Sequence, residues 1–423
     1  MIGVADWGNL NNRQYLLVTD SRVAKSLILI FLLYILSTLI QSLLPFSISR
    51  VLGGLLIIIL VLDLSVHLSQ MKVLIACMGL LSLAAMPLFT TNHIEDIDYY
   101  IYLFTTLLMF ALISRKIIIF KLCESVRSLS LSISLCIFFS AALVLILLLS
   151  GTGYEISWDG GQYFSGFAGG HHTMASAATL LMILTILDFK INQKSKWLTS
   201  SILLLLTYAI LETGARTFLF PAALAWFVFI NDNSVLEHRW QRIIMFLIAI
   251  AAFLAFFDSS AMSSKFDYVI NFQGAGDRSF LANITSGRIE YWETDLDSFF
   301  EQGIFRQLVG NSASFVYDLN EAVFFDRIWA HNDFVMILCS SGYLGLVAYV
   351  ISLGAFFYSI SSVVQSWRLL LLELYVLLPA FINGFYGYQH LVYSFVLFAC
   401  VCFLENSSTL TCIQIIGNGV GED

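Results

Sequence analysis

The chain has 423 residues, of which 59% are hydrophobic and only 12% charged, and its mean hydropathy is +0.84. A soluble protein of this composition could not cover its surface with polar groups, so a set of soluble domains is excluded and a single integral membrane domain spanning 1–423 is expected. The formal net charge of −8 leaves no basic footprint for nucleic acid.

Residues 1–23 are of mixed polarity and carry no cleavage pattern, so the first apolar run is expected to be a retained span. A span needs about 20 apolar residues at 1.5 Å each. Apolar runs occur near 26–45, 51–66, 73–90, 99–114, 129–150, 173–188, 199–215, 217–231, 243–257, 333–363, 369–385 and 391–404. The expected fold is therefore an all-α polytopic membrane protein of about twelve transmembrane helices.

Orientation follows from Lys and Arg. With the N-terminus in the cytoplasm, the inward loops hold Arg13, Arg22, Lys25, Lys72, Arg115, Lys116, Lys121, Arg127, Lys190, Lys194, Lys196, Arg239, Arg242 and Arg368. These are fourteen of the 21 basic residues, so both termini are expected inside. The flanks 188–198 and 231–242 are both basic. The chain must then leave and return between them, turning at Glu212-Thr-Gly-Ala-Arg216-Thr217. Each arm of that hairpin is short, so Glu212 and Arg216 should be sunk at the bilayer edge and face a cavity.

Residues 258–331, between spans nine and ten, form a large acidic loop on the outer side. Within it Ile289, Trp292, Leu296, Phe299 and Phe300 fall on one helical face, with Glu290, Glu293, Asp297 and Glu301 opposite. The pattern predicts an amphipathic helix over 288–301 lying on the membrane surface, with Ser286 as its N-cap and Gly303 as its stop.

Several residues on this outer face stand out. Arg216 is costly at a bilayer edge unless Glu212 neutralises it or an anion does, and a planar guanidinium suits an anion. Arg288 stands in the first turn of the loop helix, where a cation opposes the helix dipole. A phosphate there would also meet free backbone N–H groups. His331, in Ala330-His331-Asn332-Asp333, marks the return to the membrane and can act as a base or an orienting group. Before the sixth span, Ser165-Gly-Phe-Ala-Gly-Gly170-His171-His172 offers close backbone approach to a ligand, but adjacent histidines share no helix face and make a poor metal pair. The seven cysteines have no disulfide or zinc spacing, and Cys400-Val-Cys402 reads as packing. His93 and His390 also lie on the outside, without a pattern that singles them out. Asn283-Ile-Thr285 matches a glycosylation acceptor, a short and context-dependent signal.

Taken in order, Gly-Phe…His171-His172, Gly-Ala-Arg216-Thr217, Ser286-Gly-Arg288…Trp292, Leu308-Val-Gly310-Asn and His331-Asn332-Asp333-Phe…Gly342-Tyr-Leu-Gly345 resemble the bacterial O-antigen polymerase/ligase family over about 165–350. The chain departs from the common pattern before span six, where His171-His172-Thr173 stands.

The resemblance implies a metal-independent, cofactor-free glycosyltransferase of GT-C-like fold in the bacterial inner membrane, with its active site facing the periplasm. The donor it implies is an undecaprenyl-pyrophosphate-linked glycan. The acceptor is a lipid-linked repeat unit in a polymerase, or lipid A-core in a ligase. Arg216 and Arg288 would bind the pyrophosphate and His331 would activate or orient the acceptor hydroxyl, with Glu212, Asn332, Asp333, His171 and His172 as candidate assistants. A chain-length regulator follows as a partner from the family alone. The His331-Asn332-Asp333 triplet favours polymerase over ligase. A lipid-linked oligosaccharide flippase is the reading from another class. It is disfavoured by the large outer loop and by the scarcity of charges such as Asp63 and Glu373 within the spans.

Overall fold

The computed structural model describes residues 5–44, 48–66, 72–85, 94–156, 161–232, 288–325, 327–362 and 364–404, together with the isolated residues 240, 243, 247, 261 and 263. The ninth apolar run (243–257), the first part of the loop (258–287), the N-cap Ser286, the Asn283 acceptor and His93 lie outside the described residues.

The described chain is almost wholly helical. In order, its elements are α1 (Ala5–Leu39), α2 (Ile48–Val66), α3 (Lys72–Ala84), α4 (Ile94–Ile113), α5 (Lys116–Ser128) and α6 (Ser130–Ser150). A small hairpin, β1 (Tyr154–Ile156) and β2 (Gln162–Phe164), precedes α7 (His171–Asn192), α8 (Lys196–Glu212) and α9 (Leu219–Ile230). Then come α10 (Arg288–Phe300), α11 (Ile304–Val309), α12 (Ala313–Phe324), α13 (Asp333–Ser361), α14 (Ser366–Ile382) and α15 (Gln389–Leu404). Among the described residues, 5 segments are long and apolar enough to cross a bilayer: Asp20–Leu39, Asp96–Ile113, Ser130–Ser150, His171–Asn192 and Asp333–Ser361. Arg216–Ile230 and Gln389–Leu404 are shorter apolar helices. The chain is a helical multi-pass membrane protein.

α7 and α15 form the centre. Every residue of α15 is buried, as is α7 from Met174 to Phe189. Ala175, Ser176, Ala177, Ala178 and Thr179 give α7 a run of small side chains, which lets its neighbours approach closely without a hydrophobic driving force from lipid. α6 is the opposite case. It exposes Leu131, Leu135, Phe138, Phe139, Ile146 and Leu149, a surface that would aggregate in water and is at ease in hydrocarbon.

α8 and α9 form the expected hairpin. Thr213 closes α8 by donating its hydroxyl to the Ile210 carbonyl at 2.6 Å, and Gly214 takes φ +61° at the turn. One 3-10 turn at Arg216–Phe218 leads into α9, and Trp226 Nε1 donates to Thr207 Oγ1 at 2.9 Å to clasp the two arms.

Three features differ from expectation. α5 occupies the stretch read as a basic loop. Its Ile118, Ile119, Leu122 and Val126 are buried at helical spacing, and Arg115 just before it is enclosed between Asp20 (3.0 Å) and Asp63 (2.6 Å). Arg115 thus neutralises Asp63 instead of lying free in a loop, because a buried carboxylate is tolerated only when paired. The loop helix α10 forms where predicted, but Trp292, Leu296 and Phe299 pack into the helical core, and α10 contacts α12 and α13. Phe299 is fully buried against the bundle, Trp292 and Leu296 are partly buried, and Phe300 at the end of the helix stays exposed. Gly303 is not its stop. α10 ends at Phe300, and Gly303, in an extended conformation, precedes α11.

α13 is broken at Gly342, where φ 64° and ψ −167° leave the helical region. The break frees carbonyls that a membrane helix must satisfy internally. Asn311 N–H donates to the Cys339 carbonyl and Ser312 N–H to the Ser340 carbonyl, both at 3.0 Å. The segment after α11 therefore lies against the break as a short extended strand would. A Cβ at Gly310 would run into the Ser340 backbone, and one at Gly342 into the Leu308 backbone. Asp96, at the start of α4, secures α12 by accepting from the Ser314 N–H (2.7 Å) and hydroxyl (3.0 Å). The loop is thereby bolted to the bundle at two places.

Candidate functional site

The site gathers at one end of the bundle, where the α8–α9 hairpin, the start of α10, the α12–α13 connection and the α14–α15 turn meet. Arg216 lies in the hairpin and Arg288 opens α10. Arg288 donates to the carbonyl of Ile382, which holds the start of α10 against the end of α14. Its acidity is shifted so that its pKa falls to about 10, first because it is buried and then because the Arg216 cation acts on it; the hydroxyls of Tyr388 and Tyr291 oppose the shift. Among the described residues no carboxylate pairs with Arg288. Two guanidinium groups that repel each other in a partly desolvated site form an arrangement that an anion relieves.

His331 stands in the left-handed region at φ 52°, just before α13. Asn332 sets this corner. Its side-chain oxygen accepts from the N–H groups of Phe334 (2.9 Å) and Val335 (3.2 Å), so it is the N-cap of α13. The turn directs the His331 ring toward the α14–α15 connection, where Nδ1 lies 2.6 Å from Asn383 Oδ1. Asn383 Nδ2 donates to the Tyr388 hydroxyl at 2.9 Å, so its oxygen faces the imidazole and Nδ1 carries the proton. Nε2 is left with its lone pair for an incoming group. Burial first and the Arg288 cation second together lower the His331 pKa to about 3, with the Asn383 hydrogen bond opposing both. The ring is neutral at physiological pH.

Aromatic groups enclose the centre. Trp329 lies 5.1 Å from the His331 ring and 6.1 Å from Tyr388. The ring of Tyr388 also meets Phe218 at 5.2 Å and His172 at 6.1 Å. Burial pushes the Tyr388 hydroxyl up to about 12, with Arg288 and Asn383 opposing. Gly384 (φ +111°) and Gly387 leave room for Trp329, which a Cβ at Gly384 would overlap. Trp292 holds the α12–α13 connection in place through its Nε1 bond to the Ala330 carbonyl at 2.6 Å.

The structure brings Arg216, Arg288, His331 and His172 to this one place. His171 lies one layer out. Glu155 Oε1 accepts from both its backbone N–H (2.9 Å) and its Nδ1 (2.8 Å), and its ring meets His172 at 4.4 Å and Tyr163 at 5.3 Å, tilted against each. Tyr163 acts in turn on the charge of Arg216. The β1–β2 hairpin aligns these groups, in a stretch that reads in the sequence as a glycine-rich loop.

Three candidate assistants serve the scaffold. Asn332 caps α13. Asp333 is fully buried and accepts from the N–H groups of Phe385 (2.9 and 3.0 Å) and Tyr386 (3.2 Å) and from the Tyr349 hydroxyl (3.1 Å). It fixes the α14–α15 turn that presents Asn383 and Tyr388. Glu212 accepts from the hydroxyls of Tyr154 (3.1 Å) and Tyr208. Asn383, Tyr388 and Trp329 were missed; the Asn383-Gly384 step near the end of an apolar run was the one available sign of a turn. Among the described residues no group of His, Cys, Asp and Glu is placed to hold a metal ion.

Comparison with family models, with curated proteins and with solved structures gives no match.

Proposed function

We propose that the chain is a metal-independent glycosyltransferase that moves a glycan from undecaprenyl pyrophosphate at the outer face of the bacterial inner membrane. The observation that carries this reading is the meeting of Arg216, Arg288 and a neutral, oriented His331 in one site. In the transfer, the acceptor hydroxyl oxygen bonds to the anomeric carbon while the bond from that carbon to the pyrophosphate oxygen breaks. Pyrophosphate is already a good leaving group, so the main demand is stabilisation of the departing charge, which two arginines meet. The hydroxyl proton goes to Nε2 of His331, the nitrogen left open by the Asn383 contact.

The same geometry couples binding to basicity. A bound pyrophosphate offsets the Arg288 field that depresses His331, so the imidazole becomes a better base once the donor is present.

Polymerase is the preferred assignment, with a lipid-linked repeat unit as acceptor. Ligase activity toward lipid A-core uses the same donor site. Gel analysis of surface polysaccharide in a deletion strain separates them. A core bearing a single repeat unit means that a polymerase was lost. A bare core with polymer stranded on the lipid carrier means that a ligase was lost. Wild-type banding in Arg216→Ala, Arg288→Ala and His331→Ala, each at normal expression, would overturn the transferase reading.

A further inference from the structure

A second cavity of about 480 Å³ opens beside the charged site, at the outer ends of α1, α2, α4, α7 and α15. Its volume is that of a small-molecule site. Neither arginine of the charged site lines it, and nothing in the transfer step described above uses it. Tyr388 joins the two. It lines this cavity, while its hydroxyl receives the Asn383 hydrogen bond that leads to His331.

The lining is that of a site for a neutral ring rich in hydroxyl groups. Tyr34, Tyr102 and Tyr388 supply aromatic walls, surfaces that accept the C–H face of a sugar and keep a polar tip available. Gln41, Thr173 and Gln389 supply amide and hydroxyl groups. Arg50, at the rim, makes an exposed ion pair with Asp98 at 3.4 Å, so the rim carries balanced rather than net charge and further hydrogen-bond donors. At the floor, His390 is held between Thr38 (2.6 Å) and Ser176 (3.4 Å) through its two ring nitrogens.

Gln389 is the most telling of these. It is 5% exposed, and its Nε2 donates to the carbonyls of Tyr386 (2.9 Å) and Tyr102 (3.4 Å). Those two bonds fix which way the amide points. Its Oε1 is buried and meets no donor within the protein. A buried acceptor left unmet is costly, so Gln389 gains a hydrogen bond when a hydroxyl-bearing ligand in the cavity draws its Oε1 to the lining.

We infer that this cavity is a sugar subsite, which takes a pyranose ring of the glycan beside Tyr388 while the pyrophosphate lies at Arg216 and Arg288. The assignment of a glycan rests on the transferase reading. The binding chemistry of the cavity does not.

The test uses the full chain in detergent or nanodiscs and, as probe, the repeat-unit oligosaccharide released from the host's surface polysaccharide by mild acid. Binding is read by saturation-transfer NMR and calorimetry. The wild type should bind it saturably, and Gln389→Leu should weaken binding at least about tenfold. The double variant Gln41→Ala/Thr173→Val, whose side chains are only partly buried, should do the same and serves if Gln389→Leu does not fold. No binding to the wild type, or unchanged binding in a folded variant, overturns the subsite. Methylating the non-reducing terminal sugar weakens binding if the acceptor ring occupies the cavity. Reducing the opposite end to an open-chain alditol weakens it if the donor ring does. Either result supports the subsite. If Arg216→Ala, Arg288→Ala and His331→Ala leave surface polysaccharide unchanged while Gln389→Leu still loses the oligosaccharide, the transferase reading fails and the subsite stands.

Discussion

His331 and Asn383 are 52 residues apart in sequence and meet at 2.6 Å, imidazole Nδ1 to amide oxygen. The contact sets both the tautomer and the direction of the ring, because Asn383 is itself fixed by donating to Tyr388. It makes Asn383 a positioning residue for whatever His331 does.

On the proposed transferase reading, Asn383→Ala should lower kcat by about 10²-fold with little change in KM, the order expected when a catalytic group is misplaced by about an ångström. Asn383→Asp should recover part of the loss, since a carboxylate also accepts from Nδ1–H. It should also move the acid limb of the pH profile upward by favouring the imidazolium. Steady-state transfer with a lipid-linked donor across pH measures both. A purely structural role would give loss in both variants without a shifted profile.

Arg216→Ala and Arg288→Ala should each reduce transfer by about 10²–10³-fold, the range for losing one stabiliser of developing charge. Lys at either position should restore only part, because an ammonium keeps the charge and loses the planar fork. If the pair holds pyrophosphate, inorganic pyrophosphate should inhibit the wild type, and each Arg→Ala variant should be less sensitive.

The depressed His331 pKa gives a pH prediction with a definite sign. The folded value of about 3 lies below the free value of 6.5. Between them the unfolded chain binds more protons than the folded one, so stability rises with pH across that window. This contribution is complete above about 6.5 and is lost as pH falls from there toward about 3. Thermal unfolding from pH 4 to 7 should show a shallower slope in His331→Gln than in the wild type. In kinetics, the His331 pKa read from kcat should exceed that from kcat/KM, because kcat reports the donor-bound enzyme, in which the Arg288 field is offset.

Gly310 and Gly342 hold the loop to the break in α13, each at positive φ and each where a Cβ would meet the other segment's backbone. Ala at either should cost about 1–3 kcal/mol from backbone conformation alone, because positive φ with ψ near 180° is open essentially only to glycine, with the steric overlap added. The expected result is a lowered Tm and faster proteolysis of residues 301–331. Gly303→Ala, where a Cβ meets nothing within 4 Å, should change neither.

Much of the fold was legible. Apolar runs at 129–150, 173–188 and 391–404 became α6, α7 and α15 because length and hydropathy are properties of the local chain. The hairpin at Glu212–Thr217 followed from basic flanks on both sides, and α10 from its helical spacing. α5 was hidden because a basic, mixed segment reads as a loop until Asp20 and Asp63 are seen to enclose Arg115. In the site, Arg216, Arg288 and His331 were visible because each is an uncomfortable residue where it stands. Asn383 and Tyr388 were not, since an amide and a phenol near the end of an apolar run are ordinary until their partners are known.

The sequence by itself determined that this is a helical membrane protein, where many of its helices begin and end, and which three charged or titratable groups stand out. Those properties depend on composition and on spacing within a turn or two. Only the tertiary structure decided that the groups share one site, that Asp333 and Asn332 build its frame, and that Tyr388 links it to a second cavity. Contacts between residues 50 to 350 positions apart depend on how helices pack, and hydropathy, which is alike on every face of a buried helix, does not encode which face meets which.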